Sequence, residues 1–453
     1  LYLAPWVDFG GSDKGTIDWF RWLDRDRFAP SLITTQPSPN RRLAEVAPFA
    51  EEIWALPECM AGRHFPGFIF DFLHTRAVRL VHIMNSRLAY ELLPDLVCLD
   101  EPPPVVVQLH VEEPDRSGYV RYVATRYGNL VSGFSVSSHH LAAALEQYQI
   151  PSAKIHVIPT GVDARGEFSP ERVKRRERED GVFRILFAGR LAEQKDPLLM
   201  LEVVKRLVRR HDNVQVEVVG DGPLTHEVER RVRELDLANH VHLHPATPDL
   251  ARWLADSDVL LMTSRFEGIP YIAFEAMAMR VPVVAPALPG NVELIGAGGG
   301  CLIESRDDPL AYAEAIAVLI DDEGLRDRVG TDGRARMLES FTVQDMARRH
   351  ETLYKKLLVA GKRPSAPSPS PAPTPPRETT RASTQPDALR FTSRPVMSAP
   401  PVSIITPCYN HGRYLPSFME GVGVQDYPAL EVIVVDDGSD DPDTLEQLAQ
   451  LES

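Results

Sequence analysis

Two cations follow an apolar, strand-like run in the second half of the chain. Residues 183–188 are apolar, Gly189 and Arg190 come next, and Lys195 lies five residues after Arg190. A guanidinium binds phosphate oxygens through two nitrogens, and an ammonium acts as a point charge. Together the two side chains can hold a diphosphate, although two such cations taken alone are more often solvated surface residues.

Two glutamates flank the start of a helical pattern farther along the chain. Glu267 stands on the loop after the apolar run 258–263, and Glu275 lies one to two turns into the helix. Gly268 and Pro270 are typical of a helix start whose first amide groups are free. This segment can offer amides to phosphate oxygens and a carboxylate to sugar hydroxyls, although the spacing of the two glutamates alone is a weak signal.

Alternating strands and helices surround both groups of residues. Short β-branched runs predict buried strands at 183–188, 214–220, 240–244, 258–263 and 281–286, with helices at 198–210, 226–237, 249–255 and 269–280. An earlier series of strands is predicted at 1–6, 80–84, 105–109, 133–136 and 154–158. The pattern predicts an α/β fold of two Rossmann-like domains, 1–165 and 166–345, with ligands at the carboxyl ends of the strands.

Composition excludes several classes of protein. The 453 residues suggest two to four domains, and 64 acidic against 49 basic side chains give a net charge of −15, which disfavours a nucleic-acid partner. The 4 cysteines show no metal-binding spacing and are interpreted as reduced thiols of a cytosolic protein. No apolar run reaches the length of about 18 residues that a membrane-spanning helix needs. Both chain ends lie close to strand-like runs and are interpreted as cut.

A Pro- and Ser-rich stretch separates the two predicted domains from a short third region. Residues 361–400 have few aromatics and no apolar periodicity, which predicts a disordered linker. The apolar runs 402–407 and 430–436 follow, and they predict the first strands of an incomplete α/β domain over 401–453.

Several pieces of the chain resemble glycosyltransferase family 4, a family of nucleotide-sugar enzymes with the GT-B fold. The pieces are G-G-S-D-K-G at Gly10, H-V-E at His110, I-P-T-G-V-D at Ile158, F-A-G-R-L-A-E-Q-K at Phe187, V-V-G-D-G-P at Val218, E-G-I-P-Y-I-A-F-E at Glu267, and P-V-V-A-P-A-L-P-G-N-V-E ending at Glu293. The resemblance runs from Leu1 to about Leu358 and implies two Rossmann-like domains that face a cleft.

The resemblance implies a set of groups that hold the donor diphosphate. The Gly11 amide would contact it from the first domain. Arg190 and Lys195 would neutralise it as it leaves. The amides of Gly268 and Ile269, after the first glutamate, would bind the same charge.

Other residues would bind the rest of the donor. By the same resemblance Glu275 would hydrogen-bond the ribose and Glu267 would lie beside the donor sugar. His110 would orient a sugar hydroxyl from across the cleft. Gly220 and Gly222 would keep the nucleotide pocket open.

The resemblance is less complete in two loops. The loop 245–249 would meet the nucleotide base. Gly290 and Glu293 stand where the family often has a glycine pair before a glutamate, but Pro289 replaces the first glycine. The resemblance therefore supports the contacts that the family makes through this loop less than those of the other motifs.

Each of these residues also has a purely structural interpretation. His110 follows an apolar strand and can be a hydrogen-bonded core histidine. Gly10 and Gly11 can form a turn after the first strand. Gly220 and Gly222 can serve only to turn the chain from strand to helix.

The implied reaction moves a sugar from a nucleotide-diphosphate sugar to a glycan or lipid-linked acceptor. The family implies retention of anomeric configuration and a final helix, residues 346–360, that packs back on the first domain. The first two domains show no Asp-x-Asp loop at a strand end, so we predict that they need no metal cofactor. The alternatives are a nucleotide-sugar epimerase, a glycan phosphorylase, or a non-catalytic sugar-binding scaffold.

The last region resembles the start of glycosyltransferase family 2, a GT-A fold. Its motifs are V-S-I-I-T-P-C-Y-N at Val402 and V-V-D-D-G-S-D at Val434. The resemblance implies that Pro407, Tyr409 and Asp437 line a nucleoside pocket, with Asp436 beside them. The metal-binding and basic residues of that family lie farther along its chain, so the fragment is expected to be inert and a divalent metal is expected only for a complete domain. We expect a cytoplasmic two-transferase protein with peripheral contact at the inner membrane face.

Overall fold

The structure, a computed structural model, describes residues 1–111, 118–173, 175–176, 181–296, 298–360, 402–408, 415, 419, 430–436, 439 and 441–451. The predicted linker 361–400 lies outside these residues. The described residues fall into two compact units, one up to residue 360 and one from residue 402. Within the described residues no helix combines the length and the apolar character needed to cross a bilayer.

The first half of the larger unit contains a parallel sheet with the strand order β3-β2-β1-β4-β5-β6-β7. Its strands are Tyr2–Ala4 (β1), Leu32–Thr34 (β2), Ile53–Ala55 (β3), Val81–Met84 (β4), Val105–Leu109 (β5), Gly133–Val136 (β6) and Ile155–Val157 (β7). Its helices are Gly11–Trp22 (α1), Leu43–Val46 (α2), Leu56–Cys59 (α3), Phe65–Thr75 (α4), Arg87–Glu91 (α5), Leu93–Leu96 (α6), Tyr119–Tyr127 (α7) and His139–Gln147 (α8), with 3-10 turns at Ala47–Phe49, Gly62–His64 and Ser152–Lys154.

The second half contains another parallel sheet, with the order β10-β9-β8-β11-β12-β13. Its strands are Phe183–Ala188 (β8), Val214–Val219 (β9), Val241–His244 (β10), Val259–Leu261 (β11), Val283–Pro286 (β12) and Gly300–Ile303 (β13). Its helices are Pro197–Leu207 (α9), Thr225–Glu234 (α10), Leu250–Asp256 (α11), Tyr271–Ala278 (α12), Pro289–Ile295 (α13), Pro309–Asp321 (α14) and Glu323–Ser340 (α15).

Both sheets are buried between layers of helices. In the first sheet, α4 to α8 cover one face, while α1 covers the other. In the second sheet, α9, α10 and α14 cover one face, and α11, α12 and α15 cover the other. Strands that are buried on both faces need apolar residues at nearly every position, which explains the continuous apolar runs in the sequence. The predicted α/β architecture is therefore present.

Three strands have weak sequence signals and are absent from the prediction. Leu32–Thr34 and Ile53–Ala55 have only three residues each, and Gly300–Ile303 begins with a glycine. Short runs cannot be told from loops by apolar periodicity, and glycine is depleted in strands. Their places in the sheets come from parallel pairing with a neighbouring strand.

The last helix of the larger unit, Val343–Ala360 (α16), packs on the first sheet and on α1. The Trp19 indole donates a hydrogen bond of 2.8 Å to the Tyr354 hydroxyl, which also lies 2.6 Å from His82 Nδ1. Farther toward the start of α16, His350 Nε2 lies 3.0 Å from Ser135 Oγ. These buried polar contacts join the end of this unit to the half where it begins. The exact limits of the two domains, 1–165 and 166–345, remain a prediction.

A buried arginine stabilises the connection between the two halves, which begins after β7 and is described continuously over residues 158–173. Arg334 of α15 is only 8% exposed, and its guanidinium donates to the carbonyl oxygens of Ala164 and Ala278 and to the Glu171 carboxylate. Because Ala164 belongs to the connection and Ala278 to α12, one side chain satisfies acceptors on separate segments. The two carbonyl groups would lose this donor if Arg334 were truncated, whereas the Glu171 carboxylate would keep its contacts with Ser169 and Arg280.

We therefore expect Arg334→Ala to lower the free energy of unfolding by about 2–4 kcal/mol, since it leaves buried carbonyl groups without donors. The matched control is Arg328→Ala, on the same helix but exposed, which we expect to change stability by less than about 0.5 kcal/mol. Urea unfolding of the full chain, followed by tryptophan fluorescence, measures both. Equal midpoints for the two variants would contradict the structural role of Arg334.

In the smaller unit, Val402–Cys408 (β14) pairs in parallel with Leu430–Asp436 (β15), and a helix follows over Pro442–Leu451. The two strands occupy the ranges that the apolar runs predict. This unit supplies the start of an α/β domain.

Candidate active site between the two sheets

The loops after β8 and β9 are packed against each other through glycines. Gly189 and Gly220 have φ angles of +142° and +147°, in the region that favours glycine. A Cβ atom on Gly220 would lie 2.0 Å from the Gly189 carbonyl oxygen, and one on Gly222 would lie 2.4 Å from the Leu191 carbonyl oxygen. The first function of Gly220 and Gly222 is therefore to let two loops meet, at the sheet edge where Arg190 lies.

Lys195 is fixed by the turn that starts α9. Its carbonyl oxygen accepts a hydrogen bond of 3.0 Å from the Thr263 hydroxyl, and Asp196 caps the helix by accepting from the Leu199 amide at 3.3 Å. Its aliphatic carbons pass over Gly189, since a Cβ atom placed there would lie 3.4 Å from Lys195 Cε. The ammonium is thereby held in front of the carboxyl end of β8.

The Lys195 ammonium forms an ion pair with the Glu267 carboxylate. The two side chains are 19% and 7% exposed, and Ser264 Oγ donates a further hydrogen bond of 2.7 Å to Glu267 Oε1. The structure thus brings together two residues that the sequence predicts to be catalytic. Each neutralises the other.

Arg190 lies on the same loop but has a different environment. Its side chain is exposed, and it makes no hydrogen bond or ion pair with another residue in the described ranges. The backbone beside it is fixed, because the Leu191 amide donates to the Asp221 carbonyl oxygen at 2.9 Å. An unpaired guanidinium on a fixed loop can bind an anion without first breaking a salt bridge.

The two halves of the unit meet closely at His110. A Cβ atom on Gly268 would lie 1.6 Å from the His110 carbonyl oxygen, and one on Gly290 would lie 1.7 Å from the Gly268 carbonyl oxygen. No larger residue fits at either position without moving the backbone. Gly268 and the buried Ile269 therefore lie directly against the end of β5.

His110 is neutral at physiological pH. Desolvation lowers the pKa of its imidazole to about 4. Its side chain is half-buried, and the ring lies 6.5 Å, centroid to centroid, from the ring of Tyr271. A neutral imidazole can donate one hydrogen bond and accept another, which suits recognition of a hydroxyl group.

Glu275 is the most deeply buried carboxylate among the predicted site residues. It is 4% exposed in α12, and desolvation raises its pKa to about 8. The Lys14 ammonium opposes this rise, whereas the charges of Asp18 and Glu167 add to it. At neutral pH the free chain therefore holds Glu275 largely in its protonated form.

The Lys14 network is a feature that sequence reasoning missed. Lys14 is 7% exposed, and its ammonium lies 2.8 Å from Asp18 and 2.8 Å from Glu167. This ion network joins α1 to the connection between the two halves, next to Glu275. One signal in the sequence could have indicated part of this network. Lys14 and Asp18 are four residues apart, directly after the glycine pair, and on a helix this spacing places them on the same face.

Gly11 is exposed at the first position of α1, where the helix presents free amide groups.

Gly290 and Glu293 both belong to α13, and Glu293 contacts the first half. Its carboxylate accepts hydrogen bonds from the His139 amide at 2.9 and 3.0 Å. This contact places a carboxylate at the amino terminus of α8, where the helix dipole favours negative charge.

A charged cavity of about 680 Å³ opens beside the Lys14 network. Its lining is Arg21, Arg42, Glu45, Asp163, Gly166, Glu167, Arg172, Pro248 and Asp249. Two of these residues belong to the loop 245–249, which the sequence predicts to meet the base. The cavity lies between the two halves, and Arg190, Lys195, Glu267 and Glu275 do not line it.

The smaller unit provides two of its four predicted site residues. Pro407 is in β14, opposite Val435 in the parallel register, and Asp436 ends β15. The Asp436 carboxylate accepts hydrogen bonds from the Ser439 amide at 3.1 and 3.2 Å. Tyr409 and Asp437 lie outside the described residues.

Three family models match the chain. Residues 169–336 match the model described as Glycosyl transferases group 1, and residues 9–165 match the model described as Glycosyltransferase Family 4. Residues 403–453 match the model described as Glycosyl transferase family 2. The predicted resemblance to families 4 and 2 is confirmed.

Curated relatives share part of the sequence. The MMP alpha-(1->4)-mannosyltransferase of Mycolicibacterium hassiacum is 28% identical over 228 residues, which is 50% of this chain and 54% of that protein. The D-inositol 3-phosphate glycosyltransferase of Corynebacterium jeikeium is 31% identical over 235 residues, 48% of this chain and 56% of that protein. The chain thus spans about half the length of the curated relatives it matches.

Solved structures share the fold of the larger unit. A glycosyltransferase from Rickettsia africae superimposes with a TM-score of 0.65 at 20% identity, covering 79% of this chain and 98% of that one. HepE of Anabaena, solved with UDP and glucose, gives a TM-score of 0.64 at 19% identity, covering 78% and 98%. The predicted GT-B architecture of two Rossmann-like domains is confirmed.

Proposed function

We propose that this chain, which over residues 9–336 belongs to the glycosyltransferases of group 1 and family 4, transfers a sugar from a nucleotide-diphosphate sugar to an acceptor hydroxyl. One observation carries the proposal. At the carboxyl ends of strands of the second sheet lie the Lys195–Glu267 ion pair, the amino terminus of α12, and Arg190, whose side chain has no ion-pair partner among the described residues. None of the matched family models describes an epimerase or a phosphorylase.

Cations and amides at this edge suit the departure of a diphosphate. In glycosyl transfer the bond between the anomeric carbon and the phosphate oxygen breaks, and negative charge builds on the leaving group. Donors fixed before the reaction stabilise that charge most effectively. Arg190 would bind the diphosphate first, since no described residue forms a salt bridge with it. Lys195 would then turn from Glu267 toward the same charge, with the amides of Gly268 and Ile269 and that of Gly11.

Carboxylates and His110 would hold the sugars. Glu275 would hydrogen-bond the ribose, and its protonated form can donate as well as accept. Glu267 would lie beside the donor sugar, released from Lys195 as the ammonium meets the phosphate. The neutral His110 imidazole would orient a hydroxyl from the first half. The loop 245–249, which contributes to the charged cavity, would meet the base.

We further propose a retaining reaction that needs no metal ion, because the cations Arg190 and Lys195 can supply the charge that a metal would otherwise bring. The acceptor would be a glycan or a lipid-linked sugar, reached by peripheral contact at the inner membrane face. The donor class agrees with the UDP and glucose that HepE was solved with and with the mannosyl transfer in one relative's name. Residues 403–453 would begin a second transferase, whose complete domain would bind a divalent metal.

A panel of UDP-, GDP- and ADP-sugars incubated with the full chain tests the activity. With EDTA present we expect slow release of nucleotide diphosphate from one donor, and at least about a 100-fold loss of that release in Arg190→Ala. Arg210→Ala, an exposed arginine after α9, is the matched control. If calorimetry detects binding of none of UDP, GDP and ADP, the proposal is wrong. Turnover that requires added Mg²⁺ would instead overturn metal independence.

A further inference from the structure

Two glycines make a notch on the surface of α1. Gly11 and Gly15 lie one turn apart and therefore on the same face of the helix. The side chain of Tyr271 fills the space that side chains on these glycines would need. A Cβ atom on Gly11 would lie 3.0 Å from Tyr271 Cδ2, and one on Gly15 would lie 1.9 Å from the Tyr271 hydroxyl oxygen.

Tyr271 comes from the other half of the unit. It is the first residue of α12, between Glu267 and Glu275 in sequence. Although its side chain is largely buried, with 9% exposed, its hydroxyl makes no hydrogen bond within the described part of the chain. The Thr160 side chain is a polar neighbour of this hydroxyl, and the fit of the ring in the notch is the larger contact.

We propose that Tyr271 is a positioning residue for the donor cleft: its ring, seated between Gly11 and Gly15, fixes the amino terminus of α12 against the amino terminus of α1. Both of these helix ends carry groups assigned above to the donor, namely the Gly11 amide on one side and the Gly268 and Ile269 amides on the other. The effect of this contact on catalysis rests on the proposed function. The contact between Tyr271 and the two glycines, and its effect on how the two halves are arranged, do not depend on that function.

Geometry explains why this one contact controls alignment. The Tyr271 ring spans the notch lengthwise, with its Cβ beside Gly11 and its hydroxyl beside Gly15. A methyl group on Gly15 would overlap the hydroxyl, and the overlap is relieved either by a turn of the Tyr271 ring or by movement of one helix away from the other. Because the ring is largely buried, we expect the helices to move, and the distance between spin labels on the two halves distinguishes the two responses. Donor groups that come from two domains must be aligned to within about 1 Å, since a displacement of that size can reduce the rate about 100-fold.

The test compares the wild type with Gly15→Ala, Tyr271→Leu and the double variant. Leucine lacks the outer part of the ring, so it leaves room for the methyl group that Gly15→Ala introduces. Gly67→Ala is the matched control, since Gly67 lies on α4 of the same half and a Cβ atom there meets nothing within 4 Å. All proteins are full-length, and thermal melting reports whether each is folded.

Two readouts separate positioning from a general effect on folding. The first is the distance between spin labels on cysteines introduced at the exposed residues Asp71 and Glu314, one in each half, after the native cysteines are replaced by serine. The second is donor hydrolysis, measured as kcat and KM. We expect Gly15→Ala to lengthen the distance and lower kcat/KM about 100-fold. We expect the double variant to restore the distance and to recover at least about 10-fold of the lost activity.

Two outcomes would overturn the proposal. One is a label distance in Gly15→Ala equal to that of the wild type and Gly67→Ala. The other is a double variant whose label distance and kcat/KM both remain at the values of Gly15→Ala, without any return toward those of the wild type. If the wild type hydrolyses no donor, the proposed function fails, whereas the label distances still decide whether Tyr271 positions the two helices.

Discussion

Lys195→Ala is expected to lower kcat by about 100- to 1000-fold while changing KM only a few-fold. The ammonium is paired with Glu267 in the free chain, so moving it to the diphosphate exchanges one ionic contact for another. Such an exchange contributes little to binding of the ground state. Its effect grows as negative charge builds on the leaving group, and the loss should therefore appear mainly in kcat.

The measurement is single-turnover hydrolysis or transfer with the donor identified in the panel, next to binding of the matching nucleotide diphosphate by calorimetry. Lys205→Ala, toward the end of α9, is the matched control and should keep wild-type kcat. Lys195→Ala also leaves the 7%-exposed Glu267 carboxylate without its cation, so its free energy of unfolding should fall by about 1–3 kcal/mol. A variant that is less stable but retains kcat would limit Lys195 to a structural role.

Glu275→Gln is expected to weaken nucleotide binding and to stabilise the free protein. Binding should fall about 3- to 10-fold, because the amide has one acceptor oxygen where the carboxyl group has two and therefore loses about one hydrogen bond with the ribose. Stability should rise because burial raises the pKa of Glu275 from 4.5 to about 8. Above pH 4.5 the unfolded chain ionises this group before the folded chain does, so wild-type stability falls as pH increases toward 8. Glutamine has no such penalty.

The gain in unfolding free energy should consequently grow with pH. We expect less than about 1 kcal/mol at about pH 5 and about 1–3 kcal/mol at about pH 8. Urea unfolding at the two pH values measures the gain, and calorimetry with UDP and GDP measures binding. Glu339→Gln, exposed on α15, is the matched control and should change neither quantity. A Gln variant that gains equally at both pH values, or that binds nucleotide as the wild type does, would contradict the assigned environment of Glu275.

The sequence carried most of the fold because a doubly covered parallel sheet has a strong local signature. β5, β6 and β8 coincide with their predicted ranges, because each is a short, mostly apolar run buried between layers of helices, although β6 includes a serine and β8 an arginine. The strands Leu32–Thr34 and Ile53–Ala55 were not predicted, because their apolar runs are too short to show a periodicity, whereas the equally short β1, β7 and β11 lie within longer runs. Their positions depend on backbone pairing with β1 and β2, which is a contact between distant segments.

The candidate site divides in the same way. Arg190, Lys195, Glu267 and Glu275 could be named from the sequence, because loops at the carboxyl ends of parallel strands must lie along one edge of the sheet. The sequence could not show which of these four side chains form an ion pair. The sequence does not say that Lys195 meets Glu267 while Arg190 has no partner among the described residues, since that depends on where two loops distant in the chain come together.

The sequence by itself therefore determined the α/β class, the two sheets and the segments that carry charged groups, because these depend on patterns within a few residues. Only the tertiary structure decided that Lys14 pairs with Glu167 beside a buried Glu275, and that Tyr271 fills the notch between Gly11 and Gly15. Those features depend on the packing of one sheet's helices against the other's. Close packing and desolvation act over a few ångströms in space, whatever the separation along the chain.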